Sequence, residues 1–239
     1  MIRYVLNLTL IFLLSGNAMG QGKTYLGFEV SMANDLFTIS DKGDYLKNVP
    51  LYNGTWGFNL RQEVGKIFFV ESGFLVKFYQ QGFGFKTIPY YGSSSGDPSW
   101  LIPARLGLNV NLLQEKVYLT PVVGYSFGIN PLYRSYGLGY GTSKSSTTSI
   151  VYSYTETPNS SRYFSLFQVG LGIEFKLFRT LRLSTLANYY SGLNKVNQLN
   201  IAYTVNNSTA ATGIATSKGQ FWSIGVGLKY PISNFWNRM

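Results

Sequence analysis

The chain has 239 residues, of which 45% are hydrophobic, 17% aromatic and 13% charged, and its formal net charge at pH 7 is +10. Cysteine and histidine are absent, which excludes a disulfide scaffold and the metal sites that thiolate or imidazole ligands form. The apolar content excludes an intrinsically disordered chain, and the charged fraction is about half of the roughly 25% typical of soluble domains.

The first 20 residues have the layout of a secretory signal peptide. Arg3 supplies a positive start, a mostly apolar stretch covers 4–14, and small residues follow, with Ala18 near the expected cleavage site. The apolar stretch is too short for a membrane-spanning helix. We therefore expect 1–20 to be cleaved, leaving 21–239 as a single exported domain.

Beyond this segment the sequence alternates eight times between apolar and polar residues. Alternation indicates strands, because successive side chains of a strand point to opposite faces. The predicted strands are 26–32, 52–61, 68–78, 102–110, 117–129, 167–176, 181–189 and 222–230. Their lengths lie near the ~9–11 residues with which a tilted strand crosses a bilayer. Pro103 and Pro121 fall within two of them, and since proline cannot donate to the ladder, we expect a bulge or a strand start at each.

The connections alternate between long and short. The long ones are 33–51, 80–99, 130–162 and 191–220, and the short ones lie near 64–66, 111–116 and 177–180. An outer-membrane barrel has brief periplasmic turns and extended extracellular loops in this order. The sequence therefore predicts an eight-stranded antiparallel up-and-down transmembrane β-barrel in the outer membrane of a Gram-negative cell.

The two faces of the predicted strands favour a membrane barrel over a soluble one. The apolar face carries large residues, as a lipid-facing wall requires, and the polar face is rich in glycine and poor in charge, as a narrow lumen requires. Aromatic residues near strand ends fit an interfacial girdle. These are Tyr25, Trp56, Trp100, Tyr163, Phe175, Tyr189, Trp222 and Tyr230.

Ten charged residues fall on the predicted lumen face. An eight-stranded barrel leaves room only for packed side chains, so we expect a largely paired internal network that plugs the lumen; an ion path is the alternative. The residues are Glu29, Arg61, Glu63, Glu71, Lys77, Arg105, Glu174, Lys176, Arg182 and Lys229.

The long loops have a small excess of basic over acidic residues, with Asp35 counted among the acidic ones. This excess favours anionic lipopolysaccharide as a partner at the outer rim, whereas no motif or basic stripe indicates nucleic acid. The loops 130–162 and 191–220 are rich in Ser, Thr and Asn, and such segments are expected to be mobile and solvated.

Two segments resemble a known family. The run Trp100-Leu-Ile-Pro-Ala-Arg-Leu-Gly-Leu108, followed by Tyr118-Leu-Thr-Pro-Val-Val-Gly-Tyr125, is similar to the central motif of small Bacteroidetes outer-membrane barrels of the PorT-like, or outer membrane beta-barrel domain, family. The closing segment resembles the signal read by the barrel-assembly machinery, with Gly225, Leu228 and Tyr230 at its key positions. The resemblance implies an outer-membrane barrel, and some members take part in type IX secretion or gliding.

Function is less well marked than architecture. Without histidine, the side chain most often used for acid–base catalysis, the chain offers no evident catalytic constellation, so we expect no enzyme, no cofactor and no metal. Two classes of function remain open. One is a structural or interaction subunit of a secretion, assembly or surface complex with protein partners in the outer membrane, and the other is a small passive pore.

Overall fold

The structure, a computed structural model, describes residues 22–80, 82–93, 98–131, 138–157, 162–178, 181–208 and 210–232. The predicted signal peptide lies outside these ranges. No helix among the described residues is long and apolar enough to cross a membrane.

The described residues form fifteen strands. They are β1 (Thr24–Asp41), β2 (Leu46–Asn48), β3 (Tyr52–Val64), β4 (Phe68–Phe78), β5 (Gly82–Phe85), β6 (Ile88–Ser93), β7 (Pro98–Leu108), β8 (Val110–Leu113), β9 (Val117–Ile129), β10 (Leu138–Lys144), β11 (Ser149–Thr157), β12 (Tyr163–Leu177), β13 (Leu181–Gly192), β14 (Asn197–Val205) and β15 (Ala211–Pro231).

Eight of these strands close into an antiparallel barrel, which confirms the predicted fold. The order around the barrel is β1-β3-β4-β7-β9-β12-β13-β15, and β15 pairs with β1 to complete the ring. Strand closure leaves no unpaired edge around the wall, so backbone donors and acceptors of the wall are satisfied by neighbouring strands. We call the end with the start of β1 and the end of β15 the base, and the opposite end the mouth.

Large apolar side chains cover the outer wall of the barrel. On β1 the outward residues Leu26, Phe28, Val30 and Met32 are between 40% and 60% exposed, and the strands around the ring repeat this pattern. Contact of such a continuous apolar band with lipid is favourable, whereas its contact with water is unfavourable. Lipid-exposed apolar residues of the other strands include Phe58, Phe74, Leu106, Val123, Phe167, Val169, Leu171, Ile224, Val226 and Leu228.

Aromatic residues mark the mouth side of this band. Trp56, Trp100 and Tyr163 lie in one cross-strand row that runs through Val76 and Ile129, and all three are exposed on the outer wall. This arrangement is the one expected at a lipid–water boundary.

The predicted role of Tyr25 in this girdle is wrong. Tyr25 is buried, lies on the inner face near the base, and its hydroxyl accepts a hydrogen bond from Arg182. Tyr25 and Glu29 are four residues apart on β1, so their side chains lie on the same face of the strand. The alternation of the sequence therefore assigns Tyr25 to the inner face.

The prolines do not interrupt the register, contrary to expectation. Pro103 lies opposite Ser126 and Pro121 opposite Leu171 with no shift of register. On its other neighbour each proline interrupts the ladder, since the pairs lapse between Ala104 and Leu101 on the β4 side and between Val122 and Leu119 on the β7–β8 side. The pairs that flank each gap keep the same register.

Strands β1 and β15 extend well beyond the apolar band. They contain 18 and 21 residues, whereas crossing a bilayer takes about 9–11 residues. Above the band β15 pairs with β14, and the sheet continues through β11 to β10. The long loops therefore hold ordered strands, and the expectation of mobile, solvated loops is wrong for the described residues.

Gly219 marks the point where β15 changes its neighbour from β13 to β14. Its φ is +77°, and a Cβ there would lie 2.9 Å from Val196 Cγ2. The pairing of β1 with β15 shifts register at the same level, between Leu36 and Thr38. A backbone with positive φ and no space for a side chain requires glycine.

A second sheet, β2-β5-β6, packs on the inner face of this extension. We call these two layers the mouth sandwich. Its larger layer consists of β10, β11, β14 and the mouth ends of β1 and β15, and its smaller layer consists of β2, β5 and β6. Its core includes Phe83 and Phe85 from the small sheet and Ile150, Ile201 and Tyr203 from the larger one, each at most 2% exposed. The aromatic rings meet edge-on, with 5.9 Å between the centroids of Phe85 and Tyr203.

We expect Phe85→Ala to open the mouth sandwich while the barrel stays closed, because this buried ring contacts both layers. Removing a core phenylalanine costs about 3–5 kcal/mol, so protease cleavage within 138–157 in lipid vesicles should accelerate at least about 100-fold. The matched control is Tyr140→Ala, since Tyr140 is 86% exposed. Equal cleavage of both variants would contradict a common core.

Candidate functional site

Eight charged side chains form one ion-pair network in the base half of the lumen. Glu174 on β12 lies at its centre, and its carboxylate is 2.5 Å from Arg61 Nη1 and 2.7 Å from Arg182 Nη1. Lys229 Nζ lies 3.0 Å from the same carboxylate. Arg182 also contacts Glu63 at 2.8 Å. All of these strands point alternate residues inward, which brings side chains distant in sequence together.

Arg105 on β7 forms the second centre of the network. Its Nη1 lies 2.9 Å from Glu29 Oε2 and 2.7 Å from Glu71 Oε1. Lys229 links the two centres, since its Nζ is 3.6 Å from Glu71 Oε2. The network contains four carboxylates and four cations, and so it is formally neutral; these are Glu29, Glu63, Glu71 and Glu174 with Arg61, Arg105, Arg182 and Lys229.

Neutral groups surround the remaining donors, although the buried Arg61 Nε has no hydrogen-bond partner among the described residues. Arg105 Nε donates to Gln168 Oε1 at 3.0 Å, and its Nη2 donates to the Tyr190 hydroxyl at 3.3 Å. The Arg61 guanidinium stacks on the Phe69 ring, 3.2 Å from its centroid. Sequence reasoning missed these partners because it searched the inner face for charge alone, although the same alternation assigns Gln168 and Phe69 to the lumen.

Lys77 and Lys176 lie outside this network. Lys176 lies opposite Arg182 in the register of β12 and β13, so it keeps the inner face that alternation predicts. It is exposed at the base end of the strand, and no ion pair joins it to the network among the described residues.

Lys77 points inward but pairs with a residue that the sequence analysis counted among the outer loops. Lys77 Nζ lies 2.7 Å from Asp35 Oδ1, and both side chains are almost fully buried. Asn53 accepts from Lys77 at 2.6 Å and donates to Asp35 at 2.6 Å. Asp35 is an odd residue of β1, like Glu29, so extending the predicted strand would have placed it inside.

Apolar side chains fill the lumen between the ion network and the mouth sandwich. We call this cluster the plug; it comprises Ala33, Leu75, Tyr79, Leu101, Phe164, Leu166, Tyr190, Val196 and Phe221, all buried. The rings of Tyr190 and Phe221 stack with centroids 4.2 Å apart. Tyr79 meets Phe221 edge-on at 6.0 Å.

A small cavity lies beside the network and beneath the plug. It is lined by Glu29, Thr55, Glu71 and Ser223, among others, and leaves about 30 Å³ open to the centres of water molecules. A cavity of this size holds a few water molecules at most. The buried hydroxyl of Thr55, which has no hydrogen-bond partner among the described side chains, is positioned to bind one of them.

The mouth sandwich is tied to β1 through the carboxylate of Asp41. This group accepts hydrogen bonds from the Tyr203 hydroxyl at 2.6 Å and from the Leu46 and Gly43 amides at 2.7 Å and 3.0 Å. Burial raises the pKa of Asp41, but these hydrogen bonds outweigh it and hold the pKa below its ordinary value. Burial and the neighbouring Asp41 carboxylate raise the pKa of Tyr203.

The predicted assembly signal lies at the base end of β15. Leu228 and Tyr230 are 47% and 49% exposed on the outer wall, and Gly225 lies on the opposite, inner face, where a Cβ would be 2.4 Å from the Val30 carbonyl oxygen. Recognition of these residues by an assembly machinery stays a prediction.

Within the described residues no group of three or more acidic side chains is arranged to hold a metal ion.

Comparisons with known proteins give structural likenesses only. No family model matches the chain, and no curated protein sequence matches it, so the resemblance to the Bacteroidetes family stays a prediction. Among solved structures, the chain is similar to the N-terminal β-barrel domain of Pseudomonas aeruginosa OprF, with 8% identity over 88% of this chain and 100% of that one and a TM-score of 0.39.

Two further outer-membrane proteins show a similar likeness. OprG from Pseudomonas aeruginosa is 10% identical over 89% of this chain and 98% of its own, with a TM-score of 0.41. Ail, the attachment invasion locus protein of Yersinia pestis, is 12% identical over 87% of this chain and 99% of its own, with a TM-score of 0.36.

We expect Glu174→Gln to destabilise the barrel strongly, because three cations would lose a shared buried counter-charge. Breaking a buried ion pair by removing one partner costs about 3–5 kcal/mol, measurable as a lower free energy of unfolding in urea from lipid vesicles. Lys176→Gln, two residues along the same strand, is the control and should change this value by no more than about 0.5 kcal/mol. Equal losses would show that the network is not the cause.

We expect acid to loosen the mouth sandwich. Because the folded pKa of Asp41 lies below its unfolded value of 3.8, its stabilising effect is complete above that value and is lost as the pH falls through the folded pKa. Protease cleavage within 197–208 should therefore rise below about pH 4, measured with an acid-stable protease. Asp41→Asn should weaken the sandwich at neutral pH and flatten this pH dependence; an unchanged acid response would count against the carboxylate.

Proposed function

We propose that the protein is a closed, non-enzymatic outer-membrane barrel that presents the mouth sandwich outside the cell as an interaction module. The observation that carries this proposal is the folding of the long connections into a two-layered unit with its own aromatic core. Long surface segments tend to carry function when a rigid scaffold positions them, and here the scaffold strands β1 and β15 are themselves part of the unit.

The lipid-facing band and the connection lengths support the membrane location. The base has the short connections and the mouth the long ones, which is the arrangement of outer-membrane barrels with their base in the periplasm. The absence of histidine and cysteine from the chain favours a role without acid–base or thiol catalysis.

The resemblance noted in the sequence favours protein partners in a secretion, assembly or surface complex. Such a partner is tested by extracting the protein from its own outer membrane in mild detergent and measuring its native mass, with identification of proteins that co-migrate. Stoichiometric partners that are lost on Phe85→Ala but retained on Lys176→Gln, at the base end of the barrel, would support the proposal. A particle containing one barrel and its micelle would contradict it.

The competing function is a passive pore. It draws support from the polar base half of the lumen, but the plug and the neutral ion network oppose it, because together they occupy the lumen with packed side chains.

We therefore expect no steady conductance from the protein in planar bilayers at neutral pH. Phe221→Ala combined with Tyr79→Ala removes two rings of the plug and should produce measurable steady currents, whereas Phe167→Ala, on the outer wall, should not. A steady conductance of the unmodified protein would overturn the closed-barrel proposal in favour of the pore.

A further inference from the structure

The outer face of the mouth sandwich has an unusual composition for an exposed sheet. The face is formed by alternate residues of five neighbouring strands, which pair with one another. They are the even-numbered positions of 38–40 in β1, 138–144 in β10, 198–204 in β14 and 212–216 in β15, and the odd-numbered positions of 151–157 in β11. Eleven of these seventeen positions are Ser, Thr, Asn or Gln, and one, Lys144, is charged. A solvated surface of this size carries about four to six charged residues.

An exposed sheet face with a single charged residue has little of the usual protection against association, and its composition suits a neutral, polar partner. The opposite face of the same strands is apolar and already covered by the small sheet. The neutral polar side chains therefore lie mainly on the side that faces away from the protein.

The polar groups of this face are held in place. Gln198 Nε2 donates to Asn200 Oδ1 at 2.6 Å, and Asn200 Nδ2 donates to Thr157 Oγ1 at 2.7 Å. Fixed amides and hydroxyls present donors and acceptors side by side, without the entropy loss that mobile side chains would suffer on binding. Beside them stands the ring of Tyr140, which is 86% exposed and offers an apolar surface.

The face continues the lipid-facing wall. On β15 the outward residues are apolar from Tyr230 to Ile224, pass through Trp222, Gln220 and the exposed Lys218, and become Thr216 and Thr212 further along. On β1 Leu36 is the last outward apolar residue, and Thr38 and Ser40 follow on the same side. The face thus begins beyond one lysine, just outside the apolar band.

We propose that this face binds the neutral sugar rings of lipopolysaccharide in the surrounding outer leaflet. Sugar hydroxyls match its array of amides and hydroxyls, and the apolar faces of sugar rings match Tyr140 and Ile214. Charge is sparse, with Lys144 on the face and Lys195 bonded to Gln198 at its edge, which favours sugars over lipid phosphates. This inference rests on the proposed outer-membrane location and adds the glycolipid headgroup as a ligand of one defined surface.

The test exploits the absence of cysteine from the chain. Ser153→Cys places one thiol in the middle of the face, and Ser146→Cys places one at the exposed β10–β11 turn. Both variants, in detergent micelles, are labelled with a neutral maleimide while core oligosaccharide, freed of lipid A and dephosphorylated, is titrated in. Labelling of the Ser153→Cys variant should slow at least about fivefold and saturably, with no change for Ser146→Cys.

Two substitutions in the Ser153→Cys background link the protection to the face. Tyr140→Ala with Thr155→Val, which exchanges a hydroxyl for a methyl group of the same shape, should raise the oligosaccharide concentration for half-protection at least about tenfold. No protection, equal protection of the turn, or protection only by phosphorylated oligosaccharide would overturn the inference. The native mass and the conductance of the barrel do not depend on this face, so they test the proposed function separately.

Discussion

The width of an eight-stranded barrel is the constraint on which the rest of the structure depends. Such a ring encloses space for side chains and little else, and buried charge is tolerated only when it is paired. Glu174 meets this condition by contacting three cations at once, and Arg105 does so with two glutamates. Nearer the mouth, the lumen is filled by the plug. The side chains of the lumen therefore stabilise the barrel, and partners can bind only to its outer surfaces.

The length of β1 and β15 explains the second half of the molecule. Both strands continue past the apolar band and stay paired with each other. There β14 pairs with the other edge of β15, and β11 and β10 extend the sheet from β14. Gly219 permits this change of neighbour, and the Asp41 carboxylate ties β1 to Tyr203. The barrel therefore continues outward as one wall, and its composition changes from apolar to hydroxyl-bearing at the level of Trp222.

The sequence predicted the barrel because each wall strand has one face in lipid, and lipid enforces alternation. It predicted most of the lumen charges for the same reason, including the partners Arg61 and Glu174, which are far apart in the chain. It failed for Asp35, since the predicted first strand was too short, and alternation could not show that Lys176, at the open end of β12, stays out of the ion network. The mouth sandwich was missed because its strands alternate Ser, Thr and Asn with Tyr and Ile, as in 149–157, and such residues are common in loops as well.

The proposed interaction module requires the mouth sandwich to be a folded unit in the membrane-embedded protein. Amide hydrogen exchange of the full chain in lipid vesicles measures this without substitution. Amides of 149–157 and 197–205 that pair with neighbouring strands should exchange at least about 1,000-fold more slowly than an unstructured peptide. Exchange at the unstructured rate in these segments, with the wall strands still protected, would contradict the account and leave a barrel with mobile loops.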